Sequence, residues 1–308
     1  MSIVVAGYTG LVGSAIFEQL KDRGEDVVGV NSKVVNLLDR RATIDFICQL
    51  KPDVVIDAAA IVGGIGANNQ YPVEFLSKNL QIQSNLMDSS HKAGVGRFLF
   101  LGSSCIYPRD CRQPIKEEYL LTGPLERTNS AYAVAKIAGI ELIKSYRKQY
   151  NHRWISVMPT NVYGPRDNFN IETGHVLPAL INKFVTAAER GSSQVNLWGS
   201  GSAKREFIHS RDLAEATLFL LENYDSDLHI NVGTGTDLEI RELANLIARK
   251  TGFGGEIEWD TSKPDGTPRK LLDVSRINEL GWEPNVTLEE GVTETIEWFK
   301  NNESRLRS

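Results

Sequence analysis

The sequence has few cysteines, no excess of positive charge and no long apolar run, and each shortage excludes a class of protein. Its three cysteines cannot all pair with one another and lack metal-site spacing, which argues against a disulfide framework and a metal centre. The net charge of -5 argues against a non-specific nucleic-acid binder. No apolar run approaches the ~20 residues of a membrane span, and the chain opens on a strand pattern instead of a signal peptide. We therefore expect a cytoplasmic protein that binds neither nucleic acid nor membrane.

The apolar segments alternate between strand-like and helix-like patterns. Of 308 residues, 41% are hydrophobic, enough for one large core or two smaller ones. Strands are predicted at 2–6, 27–30, 54–56, 98–101, 154–157 and 229–231, and helices at 14–23, 73–93 and 131–150. This alternation predicts an α/β fold, a Rossmann-type doubly wound parallel sheet.

The pattern changes after Pro165, where Gly- and Asn-rich loops separate helices predicted near 177–189, 240–250 and 288–301. We interpret this part as a smaller C-terminal, substrate-binding lobe. The stretch RDLAEATLFLLEN, at 211–223, is a helix that we expect to return to the first lobe. The predicted division is 1–165 with 206–235 for the dinucleotide-binding domain, and 166–205 with 236–308 for the smaller lobe.

A glycine loop, GYTGLVG at residues 7–13, lies between the first predicted strand and the first helix. Glycines in that position let backbone amides approach a pyrophosphate closely, whereas the alternative is a plain glycine-rich turn. The second strand ends in Asn31-Ser32-Lys33, without the carboxylate that would bind the ribose of NAD. This favours NADP, with Lys33 as the partner of the 2′-phosphate.

Two further stretches carry reactive side chains. The apolar run 98–101 ends in GSSC, which places Ser103, Ser104 and Cys105 beyond the carboxyl end of a strand, where open α/β sheets bind ligands. In NSAYAVAK, Tyr132 and Lys136 lie four residues apart on one face of a predicted helix, so the ammonium favours the ionised phenol. Taken singly, the first stretch is equally a turn and the second an ordinary helix face. Together with the glycine loop they form a site for reducing a carbonyl group.

These residues resemble the extended short-chain dehydrogenases/reductases, whose catalytic set is Ser or Thr with Tyr-x-x-x-Lys. The resemblance runs through nearly the whole chain and is most specific in six stretches: GSSCIYP at 102–108, YAVAKIAG at 132–139, MPTNVYGPRDNF at 158–169, HVLPALI at 175–181, WGSGSAKREFIH at 198–209 and KPDGTPRKLLDVSR at 263–276. They are similar to family members that take GDP-4-keto-6-deoxy-D-mannose, epimerise it at C3 and C5, and reduce C4 with NADPH to give GDP-L-fucose. The resemblance implies that activity here, in a homodimer.

The resemblance also implies roles for individual residues. Ser103, Tyr132 and Lys136 are the reductase set, Cys105 is the base of the epimerisation and His175 its acid. NADP-binding positions are Gly7, Thr9, Gly10, Leu11, Val12, Gly13, Lys33, Asn36, Leu37, Lys136, Pro159, Asn161, Val162 and His175. Substrate-binding positions are Ser104, Asn161, Lys183, Trp198, Arg205 and Asp265, and no metal is expected.

This chain departs from the family pattern beside the cofactor. Family members have a basic residue in the glycine loop and an arginine after the second strand, where this chain has Tyr8-Thr9 and Asn31-Ser32-Lys33. Fewer cations weaken the preference for NADP over NAD. Two other functions stay open: a related 4-epimerase or dehydratase, which would not need Cys105 and His175, and a non-catalytic NADP-binding regulator, which would not need the Ser, Tyr and Lys set.

Overall fold

The computed structural model describes residues 1–263 and 265–306. Pro264 of the KPDG motif and residues 307–308 of the predicted smaller lobe lie outside the described residues. The strands are β1 (Ser2–Ala6), β2 (Asp26–Val30), β3 (Val54–Asp57), β4 (Arg97–Leu101), β5 (Ile155–Pro159), β6 (Asn161–Tyr163), β7 (Gln194–Trp198), β8 (Lys204–His209), β9 (Ile230–Val232), β10 (Asp237–Glu239), β11 (Glu256–Asp260) and β12 (Arg269–Lys270). The helices are α1 (Leu11–Asp22), α2 (Arg40–Leu50), α3 (Ile65–Gln70), α4 (Asn79–Ala93), α5 (Ser130–Tyr150), α6 (Val176–Glu189), α7 (Ser210–Asn223), α8 (Ile240–Thr251), α9 (Ser275–Glu279) and α10 (Leu288–Leu306).

The main sheet has six strands in the order β2-β1-β3-β4-β5-β9, and every pairing is parallel. Strands β3 and β5 are buried along their whole length, which explains their near-continuous apolar runs. The chain passes from β2 on one side of β1 to β3 on the other, so a crevice opens at the carboxyl ends of β1 and β3. The predicted doubly wound Rossmann sheet is confirmed.

The remaining strands form two smaller sheets. In one, β8 lies between β10 and β12 and also pairs with β6, and in the other β7 pairs with β11. Apolar residues of the second half form a separate cluster, in which Leu177, Phe184, Ile247 and Phe299 are buried. The segment 272–282, which the predicted division places in the smaller lobe, packs instead in the main cluster through Leu272, Val274, Ile277 and Trp282.

The sequence pattern did not predict helix α2 or the strands of the two smaller sheets. The helix expected over 73–93 begins as a single π-helical turn, Glu74–Lys78, before α4.

Within residues 1–263 and 265–306, every helix is too short or too polar to cross a bilayer. In the same residues, no three His, Cys, Asp or Glu side chains lie close enough together to hold a metal ion.

Glu206 ties β8 to two loops from inside the protein. Its carboxylate is fully buried and accepts hydrogen bonds from the backbone amides of Thr234 (2.7 Å), Gly235 (2.8 Å) and Leu272 (3.0 Å). Replacing Glu206 with leucine leaves three backbone amides without their carboxylate partner, of which that of Leu272 is buried, so we expect the free energy of unfolding to fall by roughly 2–4 kcal/mol. Urea denaturation measures this, with the exposed Glu222→Leu as a control that changes little; a loss below about 1 kcal/mol would contradict this role.

Candidate active site

The glycine loop forms a cradle at the carboxyl end of β1. Gly7 has a φ of +79°, and a Cβ atom there would lie 2.6 Å from the carbonyl oxygen of Ala58. A Cβ atom on Gly13 would overlap the Gly7 carbonyl group, and Gly10 is the N-cap of α1. Because glycines carry no side chain, they leave the unpaired backbone amides at the start of this 12-residue helix accessible to a ligand. Thr9 and Gly10 are exposed, and Leu11 and Val12 are half-buried, so the cradle fits the pyrophosphate of a dinucleotide.

The end of β2 is less cationic than the family pattern. The Asn31 side chain accepts hydrogen bonds from the amides of Lys33 (3.0 Å) and Val34 (3.2 Å), and the Lys33 side chain is exposed. Tyr8 packs its ring where a side chain at Gly29 would lie. Asn36 is exposed, whereas Leu37 is buried and its carbonyl accepts a hydrogen bond from Asn85 (2.8 Å). Lys33 is thus an exposed lysine just after this strand end, and its role as the partner of the 2′-phosphate stays a prediction.

Ser103, Tyr132 and Lys136 converge where β4 meets α5. The Lys136 Nζ donates to the carbonyl of Leu101 (2.8 Å) and lies 5.8 Å from the centre of the Tyr132 ring. Burial raises the pKa of Tyr132, with the neighbouring Cys105 adding to the shift, while a hydrogen bond with Ser103 lowers it. The phenol is thus protonated at neutral pH and has a proton to donate.

Asp57, a residue that sequence reasoning missed, lies behind this set. It ends β3, is 1% exposed and accepts a hydrogen bond from the amide of Ala59 (3.1 Å), while its Oδ2 has no partner among the residues that the structure describes. Burial raises the pKa of Asp57 to about 6, against the charge of Lys136, and burial lowers the pKa of Lys136 to about 8, against the charge of Asp57. Both groups are therefore charged between pH about 6 and 8. A carboxylate ending an otherwise apolar strand was the available signal.

Cys105 lies on a 3₁₀ turn, Ser104–Ile106, directly after β4. Its amide donates to the Ser103 hydroxyl (3.2 Å), and its Sγ accepts from Asn129 Nδ2 (3.3 Å) and Lys270 Nζ (3.7 Å). Sequence reasoning gave no role to Asn129 or Lys270, although Asn129 lies in NSAYAVAK and Lys270 in KPDGTPRKLLDVSR.

His175 is the N-cap residue of α6 and is exposed. The protein around the ring lowers the pKa of His175, and the positive charge of Lys270 lowers it further. Lys270 thus lies near both Cys105 and His175. Lys270 is a cation that contacts the thiol and acts on the imidazole through its charge, while the pairing of Cys105 with His175 stays a prediction.

The expected nucleotide-binding side chains gather beyond β7. Trp198 ends that strand and is 72% exposed, with Lys263 Nζ 5.8 Å from its ring centre. Asp265 accepts hydrogen bonds from the amide (2.6 Å) and hydroxyl (2.8 Å) of Ser200. The Lys183 Nζ donates to the Asn196 carbonyl (3.3 Å) on β7. An open indole face therefore lies next to a carboxylate and cations.

The other expected binding residues lie on β6 and β8 of a small sheet and at the ends of β4 and β5 of the main sheet. Arg205 is on β8, next to Lys270 across the β8–β12 pairing, and burial lowers its pKa. Asn161, on β6, donates from Nδ2 to the Glu206 carbonyl (2.7 Å), so this part of its amide is engaged in the protein. Pro159 ends β5, Val162 lies on β6, and Ser104 is buried in the 3₁₀ turn. The roles of all these residues stay predictions.

Comparison with protein families and solved structures gives a consistent result. The model of the NAD dependent epimerase/dehydratase family matches residues 3–233. The chain is 49% identical to GDP-L-fucose synthase of Escherichia coli (strain K12), over 99% of this chain and 98% of that protein. It is 50% identical to "Putative GDP-L-fucose synthase 2" of Arabidopsis thaliana, over 97% of this chain and 92% of the relative.

A solved structure adds a cofactor to this similarity. The crystal structure of a GDP-L-fucose synthetase from Naegleria fowleri bound to NADP superposes with a TM-score of 0.92 at 31% identity, covering 100% of this chain and 96% of that one. The shared part thus extends beyond the sheet to the loops that carry Trp198 and Asp265.

Proposed function

This chain belongs to the NAD dependent epimerase/dehydratase family, and on that premise we propose that it is a GDP-L-fucose synthase. It inverts C3 and C5 of GDP-4-keto-6-deoxy-D-mannose and reduces the C4 ketone, with NADP as its cofactor. The observation that carries the proposal is the convergence of Ser103, Tyr132 and Lys136 with Cys105 at one strand end, in a chain about half identical to such synthases over nearly its whole length. A reductase alone has no use for the second pair, Cys105 and His175.

The reduction needs a proton donor at the ketone oxygen. NADPH bound at the glycine cradle supplies the hydride for C4. Tyr132 holds a proton at neutral pH and gives it to the oxygen, and Ser103 donates a second hydrogen bond to the growing negative charge. Lys136, held by the Leu101 carbonyl, places a positive charge beside the phenol and favours the loss of its proton.

The epimerisation uses the same polarised ketone. C3 and C5 flank C4, so removal of a proton from either carbon gives an enolate whose charge rests on the C4 oxygen, against Ser103 and Tyr132. The Cys105 thiolate removes the proton on one face, and His175 returns one on the other. The C–H electron pair enters the enolate and later forms the new C–H bond, so each inversion is neutral in electrons and protons.

The side chains in and beyond β7 and on β8 bind the GDP moiety. Arg205 and Lys183 meet the diphosphate, the open face of Trp198 packs near the nucleotide, and Asp265 accepts hydrogen bonds from guanine or ribose. Asn161 and Ser104 line the sugar site.

We further propose that the protein is a cytoplasmic homodimer and that the predicted lobes divide its work, the first holding NADP and the second the GDP moiety. Helices α4 and α5 are the elements that pair across the dimer. On α5, Val134 and Tyr150 are large apolar side chains that are 46% and 48% exposed.

Incubation of the purified protein with GDP-4-keto-6-deoxy-D-mannose and NADPH in deuterated water tests the function. We expect NADPH oxidation, followed as loss of its absorbance, and a GDP-L-fucose product that carries deuterium at C3 and C5 in its NMR spectrum. Oxidation without inversion would leave a simple C4 reductase. No turnover would redirect the search to related GDP-sugars.

Because the chain has fewer cations beside the cofactor than the family pattern, we expect Lys33 to determine the preference for NADPH over NADH. Lys33→Ala removes the cation at the end of β2, so we expect KM for NADPH to rise about tenfold, while KM for NADH changes less than about twofold. Initial rates with each cofactor measure this. Lys51→Ala, at the exposed end of α2, is the control. Equal changes for both cofactors would show that Lys33 does not meet the 2′-phosphate.

Asp57 sets the pH range of the reduction. Its charge raises the pKa of Lys136, so Asp57→Asn lowers that pKa below about 8 and Lys136 loses its proton at lower pH. We expect the alkaline limb of kcat/KM for NADPH oxidation to move to lower pH by roughly one unit. A pH series from 6 to about 10 measures the limb. A variant with reduced activity but an unmoved limb would mean that Asp57 acts only through packing.

A further inference from the structure

We infer that Lys270, assisted by Asn129, is the positioning residue that holds Cys105 in its thiolate form. This inference deepens the proposed function and rests on it, because it concerns the base of the proposed epimerisation.

The contacts at the sulfur favour an anion. Asn129 Nδ2 lies 3.3 Å and Lys270 Nζ 3.7 Å from Cys105 Sγ. A lysine ammonium has only donors, and the amide also presents its donor side, so both contacts need lone pairs on the sulfur. A thiol sulfur accepts such bonds weakly, but only a thiolate also carries the charge that the ammonium neutralises. A nearby cation is one of the environments that activate protein thiols.

The strand β12 makes Lys270 available for this contact. Adjacent strand residues point to opposite faces, and Arg269 on the other face is paired with Asp237 (2.5 Å). Among residues 1–263 and 265–306, no carboxylate lies within 4.0 Å of the Lys270 ammonium. The pairing of β12 with β8 sets Lys270 opposite Arg205, which fixes its backbone beside the substrate-binding strand. The ammonium of Lys270 is therefore held in place, and within the described residues no carboxylate competes with the thiol for its charge.

Other titratable groups also face this region. Tyr132 faces Cys105 from α5, His175 lies near Lys270 at the start of α6, and Cys111 lies near Lys270 from the loop after the 3₁₀ turn, with Asp110 beside it. Of these neighbours only Lys270 is a fixed cation within reach of the sulfur. Its positive charge attracts negative charge at the Cys105 sulfur, and burial together with this charge lowers the pKa of His175.

Alkylation of the thiol tests the inference without substrate. Full-length wild type, Lys270→Met and Lys270→Arg are treated with iodoacetamide from pH 5 to about 10, and peptide mass spectrometry follows Cys105 separately from Cys48 and Cys111. We expect Lys270→Met to move the midpoint of the Cys105 profile at least about one unit to higher pH and to slow alkylation at pH 7 about tenfold. Lys270→Arg restores most of the wild-type profile. The Cys48 profile, on α2, stays unchanged, as does the Cys105 profile in Lys204→Met, an exposed lysine of β8.

The outcomes separate this inference from the proposed function. An unmoved Cys105 midpoint in Lys270→Met overturns the inference even if the wild type makes GDP-L-fucose. A moved midpoint in a protein that exchanges no substrate protons supports the cation–thiolate pair and overturns the epimerase function instead. If Lys270→Met does not fold, Asn129→Ala provides the second variant, with an expected shift in the same direction; no shift there overturns the inference.

Discussion

Replacing Tyr132 with phenylalanine is expected to lower kcat for NADPH oxidation about 10³-fold. The variant keeps the ring but loses the proton that the ketone oxygen must receive as C4 is reduced. Burial keeps the pKa of Tyr132 high, so in the wild type this proton is present throughout the neutral range. Stopped-flow absorbance with saturating substrate measures the loss.

Exchange at C3 and C5 should fall less, about tenfold, because Ser103 still donates to the enolate oxygen. The matched control is Tyr146→Phe on the same helix, whose hydroxyl donates to Asp88 (2.6 Å) on α4. That variant loses a hydrogen bond but should reduce the ketone at close to the wild-type rate. Retention of more than about a tenth of the reductase activity in Tyr132→Phe would assign the proton to another group.

The sheet was predictable because its strands are buried on both faces. Such strands consist of continuous apolar runs, as at 54–56 and 98–101, and β1, β3, β4 and β5 were found from them. Strand β12 consists of two positively charged residues and has no apolar pattern. It forms only because β8 offers it a partner, which is a tertiary effect that a local pattern cannot carry. The same holds for the packing of 272–282 against the main sheet.

The site was predictable in its local parts and not in its long-range contacts. Tyr132 and Lys136 are four residues apart on one helix, so their proximity follows from helical geometry. Lys270 and Cys105 are 165 residues apart, and they meet only because β12 joins β8. The position of Asp57 at a strand end could be read from the sequence. Its unpaired Oδ2 could not, because it depends on how β3 packs. These unpredicted groups are the ones that set charge around the predicted ones.

Because Cys105 is the proposed base and His175 the proposed acid, we expect their replacement to cause two different defects in epimerisation. Cys105→Ser replaces the base with a hydroxyl that stays protonated, so we expect deuterium exchange at C3 and C5 to fall about 10³-fold. Ketone reduction persists and gives a product that is not inverted at either carbon. His175→Asn keeps the base but removes the acid on the opposite face. Protons are then still removed and return from solvent on the original face, so deuterium enters without inversion.

NMR of the products in deuterated water distinguishes these patterns, since it reports both deuterium content and configuration at C3 and C5. Cys111→Ser, which changes a thiol in the neighbouring loop, should give fully inverted, deuterated product. If both Cys105→Ser and His175→Asn still invert the sugar, the proton transfers belong to other side chains. If both lose exchange equally, base and acid act as one coupled pair, and the assignment of one face to each residue is wrong. Exchange without inversion in His175→Asn alone is the result that a thiolate base and an imidazole acid on opposite faces require.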